Sequence, residues 1–182
     1  MENNFEKFFL EEKCDKHYHG YHKWYDKIIG YDISSILEIG VYFGDSLRAW
    51  KKIWPDVKIE GIEWDNTLIE KYKLDDKCKI YNIDSKNTIQ SSEIKNTYDI
   101  IVDDATHDWK SQLETFNNFY DKAKKFYVIE DIQGPRSLSY LISMLPKNIL
   151  DKAMVFDSLG TRSFTIDGTK IREHYKIMII SK

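Results

Sequence analysis

Five short apolar runs, each followed by a polar amphipathic stretch, constrain this chain more than any other feature. The runs are Ser35–Val41, Lys58–Glu63, Cys78–Asp84, Tyr98–Asp103 and Phe126–Glu130. Strand-length runs alternating with helical stretches predict a parallel sheet joined by right-handed crossovers, an α/β fold. Asp45 is placed to cap a helix that runs to Trp54, where Pro55 stops it. Asp108 is placed to cap another, with Trp109, Leu113, Phe116 and Tyr120 on one stripe. The tail breaks the pattern. Ala153–Phe156 and Tyr175–Ile180 are separated only by a turn-rich loop, which predicts an antiparallel pair at one edge of the sheet. Residues 1–30 read as a helical segment with Trp24, Tyr25, Ile28 and Ile29 as its packing face, leaving 31–182 as the main body of one domain.

Composition narrows the class. With 182 residues, 42% hydrophobic and 31% charged, the chain suits one globular domain that needs no staple. A formal net charge of −3 argues against a nucleic-acid partner. No run approaches the ~20 apolar residues of a membrane span, and the N-terminus has no signal-peptide pattern. Cys14 and Cys78 lie far apart and read as ordinary thiols, so a reducing, cytoplasmic setting is expected.

Ligands of open α/β sheets sit beyond the carboxyl ends of the strands. The first strand ends in Glu38-Ile39-Gly40-Val41-Tyr42-Phe43-Gly44, where Gly40 permits a sharp turn and Gly44 a close approach to the next helix. Glu63, at the end of the second strand, is suited to both ribose hydroxyls of a nucleoside. Asp84 and Ser85, after the third, are suited to an adenine amino group. Glu38 stands where a dinucleotide fold needs its first glycine. A carboxylate there repels a pyrophosphate but suits a ligand with an amino group and a sulfonium. The pattern resembles motif I of class I S-adenosylmethionine-dependent methyltransferases. That resemblance implies a Rossmann-like sheet in the order 3-2-1-4-5-7-6, its last strand antiparallel, and S-adenosylmethionine as the methyl donor.

The fourth strand ends in Asp103-Asp104-Ala105-Thr106-His107 and the fifth in Glu130-Asp131. Neighbouring strands lie about 4.8 Å apart, so these acids converge and call for a cation. An all-oxygen set favours Mg²⁺, Mn²⁺ or Ca²⁺. We expect Asp104, Glu130 and Asp131 on the metal, Asp103 turned toward the cofactor or the loop backbone, and His107 as the base for a hydroxyl proton. Taken singly, each feature also has a bland reading, as a loop cap or a surface histidine. D-D-x-x-H followed by E-D is similar to the metal-dependent sugar O-methyltransferases of the macrocin and mycinamicin type. Carried over, that resemblance assigns Asp104, Glu130 and Asp131 to Mg²⁺ or Mn²⁺ and His107 to proton removal. Ala105-Thr106 departs from the group's usual Gly-Ser, which bears on the loop geometry.

The stretch Asp15-Lys16, His19, Tyr21 and Tyr25 is likewise similar to a segment that precedes the first strand in such enzymes, and is expected over the cofactor mouth against substrate. Cys14, His17, His19 and His22 form a rival metal set, but without a usual zinc spacing. Arg136, with Arg162 and Arg172, is a candidate for an anionic part of the substrate. The preferred substrate is a sugar hydroxyl with a neighbouring oxygen, on a nucleotide sugar or a glycan end. The alternatives are a catechol-like diol and a binding module that holds the adenosyl ligand without turnover. The oligomeric state, a homo-oligomer included, is open.

Overall fold

The computed structural model describes residues 4–28, 31–76, 78–158, 162–166, 169–173 and 175–182, with the backbone alone for Asn4, Asp75, 162–166 and 169–173. Three short helices, α1 (Asn4–Glu11), α2 (Asp15–Tyr18) and α3 (His22–Tyr25), precede β1 (Ser35–Ile39). Helix and strand then alternate through α4 (Asp45–Ile53), β2 (Lys58–Ile62), α5 (Asn66–Tyr72), β3 (Lys79–Tyr81), α6 (Thr88–Glu93), β4 (Tyr98–Asp103), α7 (Trp109–Phe119) and β5 (Ala123–Gln133). The chain continues through α8 (Gly134–Met144), α9 (Lys147–Leu150), β6 (Ala153–Asp157), β7 (Arg162–Ile166), β8 (Thr169–Glu173) and β9 (Tyr175–Ser181).

The seven-stranded sheet runs β3-β2-β1-β4-β5-β9-β6, which is the expected order. β1 to β5 pair in parallel, and β9 inserts antiparallel between β5 and β6. The loop before β9 differs from the expected plain connection, because β7 and β8 pair there as a separate antiparallel hairpin. Side chains alternate across a pleated sheet. Ile36, Ile100, Val102, Val128 and Ile179 accordingly join one core with Phe5, Phe9 and Trp50. Their neighbours Leu37, Ile101, Tyr127, Ile129 and Ile180 join the other core, under α7 and α8, with Phe116 and Leu141.

The cap of α7 is as expected, with Asp108 accepting from the Ser111 backbone N–H at 3.1 Å. The cap of α4 is not. Gly44 takes the cap position at φ +74°, and Asp45 is the first helical residue, paired to Arg48. Of the expected packing face of the first segment, Tyr25 and Ile28 are buried and Trp24 stacks on Phe156, while Ile29 lies outside the described residues.

Asp99 ties the start of β4 to the start of β1. Its Oδ2 accepts from the Ser34 backbone N–H at 2.7 Å and the Ser34 hydroxyl at 2.6 Å, and its Oδ1 lies 3.3 Å from Lys124 Nζ. Burial pushes this carboxyl up, but the Ser34 bonds and Lys124 prevail and hold it at about 2. A folded-state value below the unfolded ~3.9 means stability that is present above about pH 4 and lost as pH falls toward 2. Asp99→Asn is therefore expected to cost about 2 kcal/mol at neutral pH and to flatten the acid limb between pH 4 and 2. Urea melts across that range check this, and an unchanged acid limb would refute it.

Candidate functional site

The carboxyl ends of β1 to β4 open into a cleft of about 990 Å³. Gly40, Glu63, Asp84, Ser85, Asp104 and His107 all line it, so six of the expected residues share one cavity. At Gly40 the chain passes directly over the next strand end. Asp104 N–H donates to Ile39 O at 2.9 Å, and a Cβ on Gly40 would lie 2.3 Å from Asp104 O. The positive φ of +90° adds to the requirement for glycine.

Glu63 is buried and oriented by the backbone. Its Oε2 accepts from Tyr42 N–H and its Oε1 from Asp65 N–H, each at 3.0 Å. Two fixed donors hold the carboxylate at the cleft wall, where it can still accept from a bound diol. Asp84 accepts from Lys86 N–H at 3.0 Å, and the Ser85 hydroxyl is bonded to that of Thr115 at 3.0 Å. Trp64, exposed at 73%, and Tyr42 and Tyr18 add aromatic surface to the rim.

Glu38 differs from the expectation that it faces a ligand. It is fully buried, does not line the cleft, and accepts from Trp50 Nε1 at 3.0 Å on Oε2. Its Oε1 lies 3.1 Å from Lys16 Nζ. Burial raises its pKa, and Lys16 opposes the rise. Gly44 likewise acts at the helix start and is not part of the cleft wall. Asp103 is buried behind the wall. Desolvation pushes its carboxyl up to about 8, against a hydrogen bond from the Ala105 backbone. Of the two roles expected for it, the loop backbone is the one its contacts match.

The chemistry end is built from three directions. β4 brings Asp104, and the loop into α7 brings His107. β5 brings Glu130 and Asp131 at an irregularity, where Ile129 pairs with Met178 and Ile132 with Lys176. One extra residue thus sits on β5, and Asp131 adopts φ +50°. A regular strand sends consecutive side chains to opposite faces. The bulge lets Glu130 and Asp131 both meet the N-terminal segment. That segment supplies Tyr21 OH, which donates to Asp131 Oδ1 at 2.5 Å, and Tyr25 OH, which donates to Glu130 Oε1 at 2.5 Å. His19 stacks on Tyr21 and lies 3.9 Å from Asp131 Oδ2 through Nε2. His19, Tyr21 and Tyr25 are buried and hold the acids; none lines the cleft.

Lys16 is the residue that sequence reasoning left without a role of its own. It is 1% exposed, and its ammonium contacts Asp104 Oδ2 at 2.5 Å, Glu130 Oε2, and Glu38 Oε1. The available signal was charge balance. Converging strand-end acids need a cation, and Lys16 is one of two lysines, with Lys23, in an otherwise aromatic and histidine-rich stretch.

Both oxygens of Glu130 are taken, by Lys16 and Tyr25, whereas Asp104 Oδ1 and Asp131 Oδ2 turn toward His107. His107 Nε2 is 3.5 Å from Asp104 Oδ1, and Nδ1 is 3.7 Å from Asp131 Oδ2. Burial lowers the imidazole pKa, but these carboxylates outweigh it and hold it above the ordinary value. Burial also works against the charge on Asp104, yet Lys16 and His107 keep this carboxyl well below its usual range. Asp131 is raised by burial and by Asp104.

Among the described residues, the group able to share a metal ion is Asp104, His107 and Asp131, whose ligand atoms lie within 4.8 Å of one another. Hard carboxylate oxygens beside one imidazole suit a divalent cation. The rival set does not assemble: His17 stacks on His22, and His19 turns to Asp131. Arg136 is exposed on α8 beside Tyr140 and does not line the cleft, and the side chains of Arg162 and Arg172 lie outside the described residues.

No protein-family model and no curated protein matches the chain. Solved structures do. MycE, a methyltransferase from the mycinamycin biosynthetic pathway, in complex with Mg and SAH, is similar over 97% of this chain and 54% of its own, at a TM-score of 0.70 and 20% identity. Its complex with Mg, SAH and mycinamycin VI gives 0.66 at 19% identity, again over 97% of this chain and 54% of that one. The plantazolicin methyltransferase BpumL, in complex with SAH, gives 0.62 at 16% identity over 100% of this chain and 86% of its own. This chain thus spans about half the length of MycE. At these identities the likeness establishes the fold.

Proposed function

We propose, from a class I methyltransferase fold with an acidic, histidine-bearing strand end, that this protein is an S-adenosylmethionine-dependent O-methyltransferase. One observation carries the reading: a single cleft joins the backbone-held Glu63 carboxylate to Asp104 and His107. Glu63 accepts from the ribose hydroxyls, and the Gly40 turn lies beneath the donor. Asp104 and Asp131 would hold Mg²⁺ or Mn²⁺, whereas Glu130, expected as a third ligand, has both oxygens taken by Lys16 and Tyr25. A divalent cation there would lower the pKa of a hydroxyl presented to it. His107 takes the hydroxyl proton on an imidazole nitrogen as the oxygen bonds to the methyl carbon, the S–CH₃ bond breaks, and S-adenosylhomocysteine is left.

The acceptor is a sugar hydroxyl with an adjacent oxygen, because two neighbouring oxygens chelate one ion. The MycE complex with Mg, SAH and mycinamycin VI supports a small-molecule acceptor. The test joins calorimetry with turnover. S-adenosylhomocysteine is expected to bind, and Glu63→Ala to weaken it by about 1.5–3 kcal/mol. Methyl transfer to sugar diols is expected to stop in excess chelator while S-adenosylhomocysteine still binds. Binding of NAD in place of S-adenosylhomocysteine would overturn the donor, full turnover in chelator the metal, and transfer to catechols alone the sugar.

A further inference from the structure

Lys16 carries an inference of its own. Its ammonium is sealed from solvent and touches three carboxylates from three different strands: Glu38 of β1, Asp104 just past β4, and Glu130 of β5. Glu38 and Glu130 are fully buried and Asp104 partly so, and carboxylates gathered around one point repel one another strongly unless a cation lies between them. The ammonium lies between them here. It also occupies Asp104 Oδ2, which leaves Oδ1 directed at His107 and toward Asp131. A lysine side chain is a fixed cation that cannot exchange, so the strand ends are held together whether or not a metal is bound.

We propose that Lys16 is the resident counter-cation of the acidic strand ends. It lets the pocket fold without a divalent ion and competes with such an ion for the charge of Asp104. The second part rests on the metal reading above; the first stands on the ion pairs alone.

Melting of the full-length chain, with excess chelator or with millimolar Mg²⁺, tests both parts. The wild type is expected to stay folded in chelator, with a melting temperature that Mg²⁺ shifts little. Lys16→Met is expected to melt about 10 °C lower in chelator and to recover much of that loss in Mg²⁺. Its Mg²⁺ affinity by calorimetry is expected to rise at least about tenfold, since a competing positive charge is gone. Should Lys16→Met not fold in chelator, Lys16→Met/Glu130→Gln removes one charge of each sign and is expected to restore folding there. A packing role for Lys16 predicts no such rescue, so absence of rescue by Glu130→Gln overturns the counter-cation. Melting of Lys16→Met that is indifferent to Mg²⁺ while the wild type binds the ion overturns the competition between Lys16 and the metal. A wild type that binds no Mg²⁺, with the Glu130→Gln rescue intact, removes the metal reading and leaves the counter-cation standing.

Discussion

His107→Ala is expected to lower kcat for methyl transfer by ~10²–10⁴, the usual worth of a positioned general base. The affinity for S-adenosylhomocysteine should hardly change, because Glu63 is oriented by the Tyr42 and Asp65 backbone N–H groups and not by His107. Mg²⁺ affinity separates two roles for this side chain. His107 faces Asp104 Oδ1 and Asp131 Oδ2 through its two nitrogens, which places it beside the carboxylate pair that holds the ion. As a base, its loss leaves the two carboxylates and the ion's waters in place, and calorimetry in Mg²⁺ should match the wild type. Loss of Mg²⁺ binding in the variant would make His107 a ligand. Near-wild-type kcat would remove it from the chemistry altogether.

Gly40→Ala is expected to destabilise the fold by about 3 kcal/mol or more and to abolish S-adenosylhomocysteine binding. The new methyl group would stand 2.3 Å from Asp104 O and 2.6 Å from Ala105 Cα. Both are backbone atoms, so no flexible side chain can swing away. Relief requires the strand-four loop to retreat from β1, breaking the Asp104 N–H to Ile39 O bond and carrying Asp104 and His107 with it. Gly44 offers a control. Its φ of +74° alone makes Gly44→Ala cost about 1–2 kcal/mol. Urea melts of the two variants, with calorimetry on whatever remains folded, decide the matter. A Gly40→Ala protein within about 0.5 kcal/mol of the wild type would show that the close approach is not needed.

The sheet was legible because its strands announce themselves locally. Ile36-Leu37, Ile100-Ile101 and Tyr127-Val128 are short apolar pairs buried on both faces, and a period of two needs no long-range knowledge. The cap at Asp108 is equally local, since a side chain reaches its own helix three residues on. The cap of α4 is not legible in this way, because Gly44, a glycine with positive φ, takes the position that the sequence suggests for Asp45.

The acids at the strand ends could be named from the sequence, but not what each of them touches. Glu130 and Asp131 both meet the N-terminal segment only because β5 carries one extra residue against β9, which no pattern in Phe126–Glu130 reveals. Glu38 turns inward rather than to the cleft because Trp50 and Lys16 meet it there. Lys16 reaches carboxylates that lie 22, 88 and 114 positions away in the chain. The residue types and the alternation of strand and helix were thus determined by the sequence read locally. Which carboxylate faces a lysine, a tyrosine or the open cleft was decided by tertiary structure. The physical reason is that ion pairing and burial act through space, and a buried charge takes whichever partner the fold brings within reach.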